Sequence, residues 1–208
     1  MDIFKFDSRF MQTLGKIWDL MWLNLLTGLC CLPVLTIGPA LTAMHHVLTE
    51  IVLDQETSVT KSFFHGFRQD FGKSVGMWLL FLGTGAILAA DYDMLFIRSS
   101  ENTAILTCLF LVAAALWLMT FSWVFALLGR YQNSFGASFK NAMQLALSHP
   151  FVSLAMAFFW MVPFLLLSRW KYALLFMILF GYTGPGVLGA LLYCRIFARI
   201  EKEQEEAV

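Results

Sequence analysis

The sequence predicts an all-α protein, built as a polytopic bundle of transmembrane helices. Three observations carry this prediction: apolar side chains make up 59% of the 208 residues, charged ones only 13%, and the mean hydropathy is +0.71. A soluble domain carries roughly 25% charged residues, and one soluble core of this size could not cover so much apolar surface. We expect one integral membrane domain over residues 1–208.

Charge and cysteine content exclude several classes of protein. Lys+Arg and Asp+Glu each number 14, so the net charge is zero and no nucleic-acid partner is expected. Cys30 and Cys31 are adjacent, whereas Cys108 and Cys194 lie alone in apolar runs. This spacing predicts neither a disulfide framework nor a zinc site.

Six apolar segments are candidate membrane helices, since about 20 residues cross a bilayer. Five of them are clear spans: Ile17–Ile37, Ser74–Ala90, Thr103–Leu128, Pro150–Leu167 and Tyr172–Cys194. The sixth, Ala40–Leu53, is helical in pattern but short, and it contains two histidines and a glutamate. It either crosses as a short second helix or forms a re-entrant hairpin with the first span.

The distribution of basic residues indicates that segment 40–53 brings the chain back to the side of the membrane on which it starts. With Gly38-Pro39 as a tight turn, 11 Lys and Arg residues lie on the side of both termini. Only Arg98, Arg169 and Lys171 then lie opposite. Because cytoplasmic loops carry the excess of basic residues, we expect the protein in the cytoplasmic membrane with both termini, including a tail over 195–208, in the cytoplasm.

Two amphipathic segments, 58–73 and 134–149, are predicted as interfacial elbow helices along the membrane surface. Ser58-Val59-x-x-Ser62-Phe63 recurs 76 residues later as Ser134-Phe135-x-x-Ser138-Phe139. A spacing of four places one apolar stripe on each helix, formed by Val59, Phe63, Phe67 and Phe71 and by Phe135, Phe139, Met143 and Leu147. Ser58 and Ser134 are expected to cap these helices, and each helix leads into a span. The pattern is consistent with an internal duplication, the alternative being chance similarity between Phe-rich helices.

Few residues could carry chemistry. His46 and Glu50 are four residues apart on one helix face, and His45 lies beside them on another. Such a pair could bind a metal or relay a proton, because ionisable groups inside membranes are costly. It could equally form an internal hydrogen bond or mark a helix end at the headgroups. No third ligand is identifiable by spacing, so neither metal nor cofactor is predicted.

Other polar and glycine-rich positions are expected to be structural. Asn24 lies within the first span and should pair across helices. Gly184-Pro185-Gly186-Val187-Leu188-Gly189 matches G-x-G-x-x-G, but a dinucleotide site needs that turn between a strand and a helix. Gly184-Pro185, like Gly38-Pro39, is therefore expected to turn or break a helix. No catalytic residue is identified, and no enzyme is predicted.

Two runs of residues, Leu23-Asn24-Leu25-Leu26 and Leu32-Pro33-Val34-Leu35-Thr36-Ile37-Gly38-Pro39-Ala40, resemble the signature of the bacterial YesL family. The amphipathic segment after them resembles that family too, as do the length and hydropathy of the whole chain. The resemblance implies a small bacterial membrane protein without an established activity. Such proteins are often encoded beside sugar ABC transporters and sensor kinases.

The leading hypothesis is a non-enzymatic accessory or regulatory subunit for carbohydrate uptake or utilisation. Its expected partners are the lipid bilayer and an ABC-transporter permease or sensor-kinase membrane subunit, or a second copy of itself. The alternative is a small permease for a sugar or related solute, with His45, His46 and Glu50 lining a path. A weaker third option is an intramembrane metal-dependent hydrolase built on the same three residues.

Overall fold

A computed structural model describes residues 3–55, 58–98, 104–169 and 179–206. Within these ranges the chain forms eight α-helices and no strand, which confirms the all-α prediction. In chain order the helices are α1 Ile3–Cys30, α2 Ile37–Val52, α3 Val59–Gln69, α4 Phe71–Tyr92, α5 Ala104–Arg130, α6 Phe135–Ser148, α7 Pro150–Arg169 and α8 Thr183–Glu205.

Helix α2 is the centre of the bundle. Its side chains are buried from Gly38 to Thr49, apart from a half-buried His46. It contacts α1, α3, α4, α5 and α8. Sixteen residues make a helix of about 24 Å, shorter than the roughly 30 Å of bilayer hydrocarbon. The segment that is shortest and least apolar in sequence is thus the one most completely surrounded by protein.

Two glycines let neighbouring helices approach the backbone of α2. A Cβ atom on Gly38 would lie 2.3 Å from the carbonyl oxygen of Ser74 in α4. A Cβ atom on Gly129 of α5 would lie 2.8 Å from the carbonyl oxygen of Thr42 and 2.9 Å from the nitrogen of His46. Any side chain at either position would push the helices apart, so these contacts fix the spacing of α2, α4 and α5.

The chain turns a few residues before each predicted Gly-Pro turn. Helix α1 ends at Cys30, and a 3₁₀ turn over Val34–Thr36 leads into α2, so Gly38 and Pro39 lie inside the first turn of α2. Likewise, Gly184 and Pro185 are the second and third residues of α8, after a turn at 181–182. Proline is accommodated in a first helical turn because the N–H groups there have no partner within the helix.

Short amphipathic helices form within both segments predicted as elbows, as α3 and α6, although α3 ends at Gln69 and residues 71–73 begin α4. Their interfacial position stays a prediction. Both predicted serines occupy N-cap positions, although only Ser134 accepts a capping hydrogen bond, from the backbone nitrogen of Ala137 at 3.4 Å. A single non-helical residue, Asp70 or His149, separates each helix from the long helix that follows.

The apolar stripes of the two short helices face different surroundings. In α3, Val59 and Phe63 are buried, with Phe63 in the core cluster that includes α2. In α6, Met143 and Leu147 of the predicted stripe are exposed, and the small side chains of Ser138, Ala142 and Ala146 are buried instead. The expected equivalence of the two segments therefore extends to their position in the chain but not to their packing.

A π-helical segment over Asp93–Arg98 continues α4. Two helical stretches of the described chain are long and apolar enough to cross a membrane: Phe71–Ile97, which includes this continuation, and Ala104–Arg130. A third candidate is the pair Phe135–Ser148 and Pro150–Pro163, which bends by 106° at its break. These helices support the prediction of a membrane protein, whereas the count of six membrane helices stays a prediction.

Part of the predicted span 172–194 lies outside the described residues, and α8 continues through most of the predicted tail.

Candidate functional site

The polar residues of interest are distributed around α2. Consecutive residues of a helix point about 100° apart, so His45 and His46 face different neighbours. His45 faces α7 and α8, whereas His46 faces α3 and α5. The two histidines consequently belong to separate networks.

His45 is part of a closed network in the core. Its Nδ1 atom lies 3.2 Å from the hydroxyl oxygen of Tyr193 in α8, and its ring contacts the rings of Tyr193 and Trp160. The Thr49 hydroxyl donates to the carbonyl oxygen of His45 at 2.8 Å and lies 3.4 Å from the Tyr193 hydroxyl. All three polar side chains are buried and satisfy one another, so this network joins α2 to α8.

His46 connects three helices. Its Nδ1 atom lies 2.8 Å from the carbonyl oxygen of Gly129, and because a carbonyl only accepts, Nδ1 carries a proton. Its Nε2 atom lies 3.5 Å from Oε1 of Glu50, the i, i+4 partner identified in the sequence. The ring packs over Gly66 of α3, where an added Cβ would approach it to 3.1 Å. The His46–Glu50 pair thus lies at the junction of α2, α3 and α5.

Asn24 pairs across helices, and its partner is a helix end. Its Oδ1 atom accepts hydrogen bonds from the backbone nitrogens of Tyr182, at 2.8 Å, and Thr183, at 3.0 Å. These are among the N–H groups that a helix leaves without an internal partner at its amino terminus. The side chain of α1 therefore caps α8, from a position 158 residues earlier in the sequence.

The arrangement offers no constellation for metal chemistry among the described residues, where no three His, Cys, Asp or Glu side chains are grouped closely enough to hold an ion. All four cysteines are free thiols. The G-x-G-x-x-G run forms the first turns of α8 rather than a loop between a strand and a helix. What the polar groups achieve chemically is hydrogen bonding between helices.

One polar cluster, at the ends of α5 and α8, could not be seen in the sequence. The Arg130 guanidinium donates to both carboxylate oxygens of Glu201, at 3.0 and 3.1 Å, and the Tyr131 hydroxyl donates to the same carboxylate at 2.8 Å. The hydrogen bond from Arg130 lowers the pKa of Glu201. Burial, together with the bond to Glu201, raises the pKa of Tyr131 to about 12. The partners are about 70 residues apart, and no spacing rule connects them.

A family model described as "Protein of unknown function, DUF624" matches residues 20–92. The match covers about a third of the chain, from the second half of α1 through α4, and it includes the whole of the central helix α2. No curated protein and no solved structure shows significant similarity to the chain.

Proposed function

We propose that this protein is a non-enzymatic accessory or regulatory subunit that acts with a carbohydrate uptake or utilisation system in the cytoplasmic membrane. One contrast carries the proposal. The buried polar side chains make their hydrogen bonds to other groups of the same chain, whereas the outer faces of the helices expose many apolar side chains. Such a molecule has a centre held together by its own hydrogen bonds and apolar outer faces available to lipid or to other membrane helices.

The bonded interior argues against a solute path. A permease needs polar groups that exchange their partners for the solute. Here Asn24 caps α8, and His45, Thr49 and Tyr193 bond to one another, all four residues being at most 4% exposed. Moving a solute past them would require breaking contacts that hold the central helix in place.

The exterior favours helix–helix association. Exposed apolar side chains cover the outward faces of α4, α5 and α7, with Ile105 75% exposed and Phe151 89% exposed. On α6, the exposed stripe over Met143 and Leu147 supports an interfacial position for that helix. The exposed basic side chains Lys61 of α3 and Lys140 of α6 would then face a partner on the cytoplasmic side.

The carbohydrate assignment rests on the resemblance to the YesL family. The DUF624 match contains the Leu32–Ala40 segment that carries this resemblance, together with the helices that follow it. The cytoplasmic orientation of both termini rests on the 11 to 3 distribution of basic residues. It is supported by two ion pairs, Lys16–Asp54 and Arg130–Glu201, which join segments assigned to the cytoplasmic side.

The test is affinity purification of the tagged full-length protein from its native host in mild detergent, with mass-spectrometric identification of co-purifying proteins. We expect a permease or sensor-kinase membrane subunit at near-stoichiometric yield. Lys61→Glu and Lys140→Glu should lower that yield several-fold, whereas Lys202→Glu, the same charge change on the exposed end of α8, should not.

The permease alternative predicts the opposite outcome. The protein reconstituted alone in liposomes would then move a radiolabelled sugar, and His46→Ala or Glu50→Ala would abolish the uptake. Uptake by the isolated chain that depends on these residues would overturn the accessory role.

A further inference from the structure

A cavity of about 420 Å³ lies at the start of α2, between α4, α5 and α7. Small-molecule sites typically measure roughly 300–1,000 Å³, so this cavity is large enough for a ligand. Aromatic side chains dominate its walls: Trp78, Trp117, Phe121, Trp160 and Tyr182. Leu41, Leu118, Ala157 and Met161 contribute further apolar surface. A lining of this kind fits a hydrocarbon group rather than a hydroxyl-rich one.

The few polar groups in the walls differ in whether they have partners. The Trp117 indole N–H donates to Oγ1 of Thr84 at 2.9 Å, and the Ser122 hydroxyl donates to the carbonyl oxygen of Leu118 at 2.8 Å. The indole nitrogen of Trp78 is buried and, among the described residues, has no hydrogen-bond partner. This nitrogen is also shut off from the cavity, so the walls present mainly apolar surface to a ligand.

The position of the cavity indicates where the ligand comes from. Trp78 and Trp117 belong to the two helical stretches that are long and apolar enough to cross a membrane. Met161 of α7 lines the cavity and is also 46% exposed, so the cavity reaches the outer surface of the bundle. At the depth of membrane-spanning helices, the surrounding apolar molecules are the acyl chains of lipids.

We propose that this cavity is a binding site for one acyl chain of a lipid. The three tryptophans contact the chain, and Ala157 leaves room for it. A free fatty acid and an esterified phospholipid both supply such a chain. The role is independent of the partner subunit and of carbohydrate.

Photocrosslinking of the purified full-length protein tests the site. The probe is palmitic acid carrying a diazirine in its chain and a terminal alkyne, with crosslinked residues mapped by mass spectrometry. We expect saturable labelling of the peptides that contain Trp78, Trp117 and Trp160. Competition by unlabelled palmitate identifies a fatty-acid site, whereas competition by dipalmitoyl phosphatidylglycerol alone identifies a phospholipid site.

Two variants separate this site from lipid that merely surrounds the protein. Ala157→Leu fills the cavity and should abolish the saturable labelling, whereas Ala86→Leu makes the same change on an exposed position of α4 and should leave it unchanged. Size-exclusion profiles and circular dichroism matching those of the unmodified protein show that the variants are folded.

The proposal is overturned if labelling does not saturate and falls mainly on exposed residues such as Ile87 and Leu109. It is also overturned if folded Ala157→Leu protein binds the probe as the unmodified protein does.

Discussion

The side-chain oxygen of Asn24 lies 3.0 Å from the backbone nitrogen of Thr183, so that one residue of α1 caps the start of α8. Thr183 is completely buried, so water cannot satisfy the N–H groups at this helix end. Asn24 supplies the acceptor, and it is itself buried, with 2% of its surface exposed. The break before α8 is therefore stabilised by a contact from a distant part of the chain.

Replacing Asn24 by Ala should destabilise the fold by about 1–2 kcal/mol, because two backbone N–H groups lose their acceptor. The measurement is the midpoint of thermal unfolding in dodecylmaltoside, followed by circular dichroism. Leu25→Ala is the matched control, since Leu25 is the next residue of α1 and is 43% exposed. Equal midpoints for the two variants would show that the cap contributes nothing.

Substitution of Gly129 by Ala should destabilise the fold by about 1–3 kcal/mol, the usual cost of overpacking. The new methyl group would lie within 3 Å of backbone atoms of both Thr42 and His46, which cannot move aside as a side chain can. Gly136→Ala on α6 is the control, because nothing lies within 4 Å of its added methyl group. Its higher helix propensity should stabilise the protein by up to about 1 kcal/mol. Unfolding midpoints that shift in the same direction would contradict the close approach of α5 to α2.

The contact between His45 and Tyr193 should appear as a coupling energy in a double-mutant cycle. The single variants are Tyr193→Phe and His45→Leu, and we expect a coupling of about 0.5–1.5 kcal/mol between them in unfolding free energy. Tyr92→Phe on the exposed face of α4 serves as the control partner for His45→Leu and should show no coupling. A coupling of zero between positions 45 and 193 would mean that the two side chains do not depend on each other for stability.

The sequence was sufficient for features that depend on local patterns. A four-residue apolar spacing and a serine at the start located α3 and α6 to within a few residues at their N-termini, because amphipathicity and capping are properties of neighbouring residues. The same patterns could not show which side of each helix would be covered. Phe63 is buried against α2 and Leu147 is exposed, and that difference arises only when the helices assemble.

The candidate site was harder to predict, because its residues acquire their roles from distant partners. His46 and Glu50 form their pair within one helix, and the i, i+4 rule identified it. By contrast, the partners of His45 and Arg130 lie 148 and 71 residues away. A single sequence contains no spacing that links such positions. The sequence also could not show that α2 lies at the centre of the bundle. A short helix with two histidines is unfavourable in contact with lipid, but not where other helices surround it, and those helices are distant in the sequence.

The ion pair between Arg130 and Glu201 should make stability depend on pH in the acid range. Because the pKa of Glu201 is lower in the folded protein than its ordinary value of 4.5, the folded state favours the carboxylate. The resulting stability is fully present above pH 4.5 and is lost progressively as the pH falls through the lowered, folded-state pKa. Neutral pH therefore lies on the stable side of the transition.

Glu201→Gln should accordingly lower the unfolding midpoint at neutral pH and have a smaller effect below pH 4.5. The expected difference in unfolding free energy is at most about 1 kcal/mol, because the Glu201 side chain is 35% exposed and solvent screens the pair. Unfolding midpoints measured from pH 7 to pH 3.5 in detergent give the profile. Glu203→Gln is the control, since the Arg199–Glu203 pair lies on the same helix with side chains 82% and 67% exposed. We expect that variant to follow the unmodified protein at every pH, because an exposed pair adds little stability. A Glu201→Gln difference that stays constant down to pH 3.5 would show that the carboxylate does not titrate with folding.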